Sequence, residues 1–189
     1  MRTGTVSWLL RPASMGRLLL RPATTAARPH PRSLATAAVC TKLGAPLELR
    51  PWQPPALGPK DVRIRVAAAG INYADILQAR GQYQDKADPP FVPGNEAAGE
   101  VCELGDDVTS LVLGDRVICL RRGGGYASET VSDERLCFKV PSASADLTEA
   151  AALLVNYGTA LLALSRRAQL MPDETVLVTA AAGTLQTPS

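Results

Sequence analysis

The chain has 189 residues, 46% of them apolar and 20% charged, room for one domain with extensions or for one domain and part of another. Its net charge of +2 divides unevenly: residues 1–47 hold seven basic residues and no acid, leaving a net of −5 over residues 48–189. A mildly acidic body does not suit nucleic-acid binding, and the single histidine, His30, lies in the basic leader, so the body has none for a structural zinc site or a Ser–His or Cys–His pair.

The leader, residues 1–38, is rich in Arg, Ser, Thr and Ala. Arginines interrupt its apolar pieces Leu9–Leu10 and Leu18–Leu20, so no run is long enough to span a bilayer or to act as a secretory signal. The composition matches a mitochondrial transit peptide, with removal near Arg32–Ala38 and delivery to the matrix as the expectation. A plain basic tail is the alternative.

In the body, Val62, Ile64 and Val66 alternate with Arg63 and Arg65, the period of a half-buried strand. "INYADILQARGQY" then predicts one short helix, with Asn72 as N-cap, Asp75 as a first-turn acid and Gly81 just past its end. From Pro89 onward, prolines and glycines separate short β-rich pieces, "GEVCEL", "DRVICL" and "LCFKVP", a spacing that predicts a compact antiparallel barrel. "RRGGG" is read as a turn and not as a phosphate cradle, because no helix follows it. Cys40, Cys102, Cys119 and Cys137 show no CxxC or zinc spacing, and the last three sit in apolar runs as buried free thiols.

The texture changes between residues 141 and 150. A helix rich in Ala and Leu is predicted from Thr148, with an interruption around Asn156–Gly158, and then a continuous apolar strand over Thr175–Thr179. A helix followed by a fully apolar strand is how a parallel α/β sheet begins.

The segments "VAAAGINYAD", "RGQY", "PFVPGNEAAGEV", "VTSLVLGDRV", "GGYASETV" and "AAALLVNYGTA" resemble, in order, the zinc-independent medium-chain dehydrogenase/reductases, and within them the quinone oxidoreductases related to zeta-crystallin. The resemblance covers roughly residues 38–183. It implies a mainly β fold: a GroES-like β-barrel domain over residues 39–147, then over residues 148–189 a helical segment and the first strand of an incomplete Rossmann α/β domain. Zinc-dependent members have Gly–His–Glu where this chain has Gly94–Asn95–Glu96, and a four-cysteine lobe that this chain lacks, so no metal is implied. The cofactor implied is NADPH, and the partner a small-molecule quinone or enone. By match to the family's motifs, Asn72 lines the nicotinamide side of the cleft, Tyr83 contacts NADPH, Thr159 lies near the nicotinamide, and Ala182 and Gly183 open the pyrophosphate loop. Asp75 matches a structural position. No catalytic residue is assigned, because the cofactor carries the chemistry.

The fingerprint for a dinucleotide needs further glycines, a helix and an acid about 20 residues beyond the turn. After Gly183 the chain reads "TLQTPS". The expectation is therefore a truncated product with little NADPH affinity and no family-type dimer. An inert barrel module binding a full-length paralogue, or an unstable fragment, stands as the alternative.

Overall fold

A computed structural model describes residues 34–141 and 144–179. In chain order the elements are β1 (Ala35–Val39), β2 (Glu48–Trp52), β3 (Asp61–Ala69), α1 (Tyr73–Ala79), β4 (Glu96–Leu104), β5 (Arg116–Leu120), β6 (Glu129–Asp133), β7 (Cys137–Lys139), α2 (Leu147–Ala150) and α3 (Leu153–Leu161). Five strands form one antiparallel sheet in the order β6-β3-β4-β5-β7. A second sheet, β1 with β2, is joined to the approach to β6: Ser128 N–H donates to the Thr36 carbonyl and Ala38 N–H to the Tyr126 carbonyl, both at 2.8 Å. The mainly β, barrel-type fold is the one the sequence implies.

The alternation read in β3 is the alternation of burial. Val62 and Ile64 are fully enclosed with Ala97, Val101, Val117 and Cys119, while Arg63 reaches across the other face to Glu103 at 2.6 Å. β4 is covered on both sides. Ala97 joins that core, and Ala98 packs beneath Ala150 and Ala151 of the α2 region. Small side chains at 97–99 let a central strand lie between two layers.

Several expectations are corrected. β1 begins at Ala35, inside the segment 1–38 assigned to the leader; Ala35, Ala37 and Val39 face inward, a pattern that the leader's own Ala- and Thr-rich composition hides. The helix expected from Thr148 starts at Leu147 and breaks at Ala151–Ala152, not at Asn156–Gly158; α3 runs through those residues and continues as a π-helical stretch, Leu162–Arg167. Thr175–Thr179 pairs with no strand among the described residues, and Leu177 is 87% exposed. A parallel strand needs a neighbour for its hydrogen bonds and helices for its faces, and the described residues offer neither. Residues 1–33 of the leader lie outside the described residues.

All four cysteines are free; Cys40, Cys119 and Cys137 are buried and Cys102 is half-buried. Burial pushes the Cys119 thiol up to about 12 and the Cys137 thiol up to about 11. Both are therefore almost wholly protonated at pH 8, and the thiolate is the reactive species. In native protein at pH 8, a chromogenic disulfide reagent is expected to modify Cys119 and Cys137 at least about a hundredfold more slowly than in urea. Equal rates in the two conditions, read by peptide mapping, would refute this.

Candidate functional site

Among the described residues, the buried polar side chains Asn72, Asp75 and Glu96 converge where the start of α1, the Gly94–Glu96 turn, the glycine turn at 121–125 and the start of α3 meet. Asn72 precedes α1 with extended backbone, as an N-cap should, and its N–H donates to Asp75 Oδ2 at 2.9 Å. Its side-chain amide donates from Nδ2 to Glu96 Oε1, also at 2.9 Å. Asn72 is thus buried at a seam between elements, which capping alone does not require.

Asp75 is 2% exposed and serves three donors: Asn72 N–H, Asn95 Nδ2 at 2.7 Å and the Tyr126 hydroxyl at 2.8 Å. Burial, and then the hydrogen bond to Asp75, push the Tyr126 hydroxyl above its ordinary value, so it remains a donor at neutral pH. Gly94 allows this packing. It has φ +98°, and a Cβ there would stand 2.5 Å from Tyr126 Cδ1. Asn95 spans two loops, giving Nδ2 to Asp75 and accepting the Gly123 N–H at its Oδ1, 3.2 Å away.

The glycine turn is a turn, as its sequence indicates. Gly123 and Gly124 take φ +80° and +84°, and the N–H groups of Gly123, Gly124 and Gly125 go to Asn95 Oδ1, the Val92 carbonyl and the Gly94 carbonyl. None is left to hold a phosphate. Arg121 holds the turn from beneath: its guanidinium donates to the carbonyls of Gly123 and Val131 and, at 2.8 Å, to Thr130 Oγ1.

Glu96, 2% exposed, completes the cluster. Its Oε1 accepts from Asn72, and its Oε2 accepts the Val155 N–H in the first turn of α3 at 2.9 Å. Thr159 lies one turn further along α3 and is exposed. Tyr83 is half-buried in the segment after α1, whose Asp85 faces Arg122 of the glycine turn at 3.9 Å. The structure therefore connects Asn72 to the helix carrying Thr159 and sets the Tyr83 segment against the glycine turn. Ala182 and Gly183 lie outside the described residues.

Asn95, Glu96 and Tyr126 were not singled out as site residues from the sequence. The available signal was an acid at the head of Ala97–Ala98–Gly99, small residues suited to burial on both faces.

The donor chemistry can be matched to groups. Among the described residues no cluster of three or more His, Cys, Asp or Glu could hold a metal ion, and both polar atoms of Asn95 are committed to protein partners. On α3, the buried Asn156 Oδ1 has no partner, its Nδ2 being given to the Ala152 carbonyl, and a Cβ on Gly158 would meet nothing within 4 Å. A carboxamide oxygen without a donor, with the Thr159 hydroxyl three residues on along α3, is the donor–acceptor chemistry that a nicotinamide carboxamide pairs with. No helix of the described residues is long and apolar enough to cross a membrane.

Residues 58–142 match the family model of the alcohol dehydrogenase GroES-like domain. Over 159 residues the chain is 48% identical to the quinone oxidoreductase-like protein 2 homolog of Nematostella vectensis, covering 83% of this chain and 43% of that protein. Over 147 residues it is 46% identical to quinone oxidoreductase-like protein 2 of Mus musculus, covering 78% and 42%. Among solved structures it is similar to the quinone oxidoreductase of Thermus thermophilus, also solved in complex with NADPH, with 38% identity and a TM-score of 0.69 over 79% of this chain and 46% of that one. It is also similar to a human synaptic vesicle membrane protein VAT-1 homolog-like protein, with 31% identity and a TM-score of 0.76 over 80% and 49%. The chain spans less than half the length of each of these relatives.

Proposed function

Because the chain belongs to the quinone oxidoreductase-like family and carries its alcohol dehydrogenase GroES-like domain, we propose that the cluster around Asn72 is the barrel-side wall of a cleft for NADPH-dependent, zinc-free reduction of a quinone or enone. The observation that carries this reading is the junction itself: buried Asn72, Glu96 and the first turn of α3 joined by two hydrogen bonds of 2.9 Å. NADPH, when bound, supplies the hydride or electrons. Asn72 and Thr159 would hold the nicotinamide end, and Tyr83 would contact the cofactor from the segment after α1. Ile71 and Tyr73 flank Asn72 as exposed apolar side chains and would exclude water from a planar substrate.

A second reading is favoured by one observation. α3 and the residues after it expose Leu161, Leu162, Met171 and Leu177, apolar surface that a reductase working alone would cover. In this reading the 189 residues by themselves form a barrel module with little NADPH affinity and little activity, able at most to associate with a longer relative. The acid-free basic leader supports delivery to the mitochondrial matrix. A fusion of residues 1–40 to a fluorescent protein is expected to colocalise with a mitochondrial dye, and diffuse cytosolic fluorescence would refute it.

The cleft reading is tested by NMR on the full chain. A soluble 1,4-naphthoquinone is expected to shift the Asn72 and Tyr83 signals saturably, and Asn72→Ala is expected to abolish the response. No shift at either residue would overturn the reading. NADPH followed by nicotinamide fluorescence is expected to show no saturation below about 1 mM. Micromolar binding would refute the weak-affinity reading and leave the cleft standing.

A further inference from the structure

Glu96 is a buried carboxylate with no ion pair among the described residues, at the first position of β4. Such a group is costly to bury unless its lone pairs are used. They are used on two different elements: Oε1 takes the Asn72 Nδ2 proton and Oε2 the Val155 N–H. Val155 is the third residue of α3, where a backbone N–H has no partner in its own helix and the helix dipole favours an anion. Gly70 makes the space, since a Cβ there would lie 2.3 Å from Glu96 Oε1 and 2.7 Å from the Ala151 carbonyl oxygen. Thr159 follows Val155 by four residues and so shares its face of the helix.

We propose that Glu96 is a positioning residue: one carboxylate sets the orientation of the Asn72 carboxamide and seats the first turn of α3. The inference rests on the reading that Asn72 and Thr159 face the ligand. Because both oxygens are occupied by donors, a glutamine cannot reproduce the arrangement. Its NH₂ would face the Asn72 NH₂ or the Val155 N–H, and the first conflict is relieved only by turning the Asn72 amide over. Glu96→Gln therefore keeps the volume and either inverts or frees Asn72 or frees the Val155 N–H, whereas Glu96→Ala removes both acceptors.

The test uses the ¹⁵N-labelled full chain, without ligand. In the wild type the Asn72 side-chain NH₂ protons, assigned by their loss in Asn72→Asp, are expected to be protected from exchange. In Glu96→Ala the Asn72 protection is lost and Val155 N–H exchanges about ten- to a hundredfold faster. In Glu96→Gln either the Asn72 NH₂ signal moves or loses protection, or the Val155 N–H loses it, according to which way the new amide turns. Val62, Ile64 and Val101 amides keep their protection within about twofold in both variants. Unchanged Asn72 and Val155 signals in both variants would overturn the proposal. So would a loss in Glu96→Gln shared equally by Val62, Ile64 and Val101, because that is a general structural role. Should Glu96→Ala not fold, Glu96→Gln alone decides between these results. Failure of the cleft reading shows separately, as a wild-type chain in which the quinone shifts nothing while the Glu96 responses stand.

Discussion

Asp75→Ala is expected to lower the unfolding free energy by about 3–5 kcal/mol, a large part of what a domain of this size possesses. The side chain is buried and accepts from Asn72 N–H, Asn95 Nδ2 and the Tyr126 hydroxyl, so its removal leaves three donors facing protein without an acceptor. Asp75→Asn is expected to cost less, about 1–2 kcal/mol, through a specific conflict. An NH₂ placed at the Oδ1 position would face the Asn95 NH₂, and turning Asn95 over would take its oxygen from the Gly123 N–H. Urea unfolding followed by circular dichroism ranks the three proteins. A midpoint for Asp75→Ala indistinguishable from wild type would show that the cluster does not hold the site together.

The second large effect is at Gly99. An added Cβ would stand 2.0 Å from the Arg65 carbonyl oxygen and 2.8 Å from Ile64 Cγ2, with the paired strand's backbone as the obstacle. β3 and β4 would have to part at their centre, beside the irregularity between Val66 and Ala68. Gly99→Ala is expected to cost about 2–3 kcal/mol. Gly158→Ala supplies the contrast: inside α3 a Cβ meets nothing within 4 Å, and the helix is expected to gain about 0.5–1 kcal/mol. Equal midpoints for the two variants would contradict both assignments.

The strands and α1 were legible in the sequence because their information is local. Val62–Arg65 states its own period, and Asn72, Asp75 and Gly81 mark the start and end of one helix. β1 was not legible because alanines carry its inward face, and alanine is equally at home in a leader. The break in the second helical segment was misplaced for a tertiary reason: Glu96, some sixty residues earlier, caps α3 from outside and so decides where it starts (|i−j| = 59). The site was half legible. Asn72, Tyr83 and Thr159 are named by motif resemblance, but Glu96, which holds the Asn72 amide, and the partners of Asp75 are not, since Asn72–Glu96, Asp75–Asn95 and Asp75–Tyr126 join positions 24, 20 and 51 residues apart. Only folding shows that those polar groups share one enclosure.

The order β6-β3-β4-β5-β7 also governs how the protein can be made. β3 meets β4 soon after both have been synthesised, but its other edge waits for β6, where Arg65 pairs with Glu129. β1 pairs early with β2, but its other side waits as long as β3, because Thr36 is bonded to Ser128, 92 positions later. A nascent chain that has emerged only as far as β5 therefore carries an open strand edge and an uncovered apolar face, the surfaces on which chaperones and neighbouring nascent chains act. Closure depends on late, distant pairings, and a sheet of that kind acquires its native state slowly, in milliseconds to seconds.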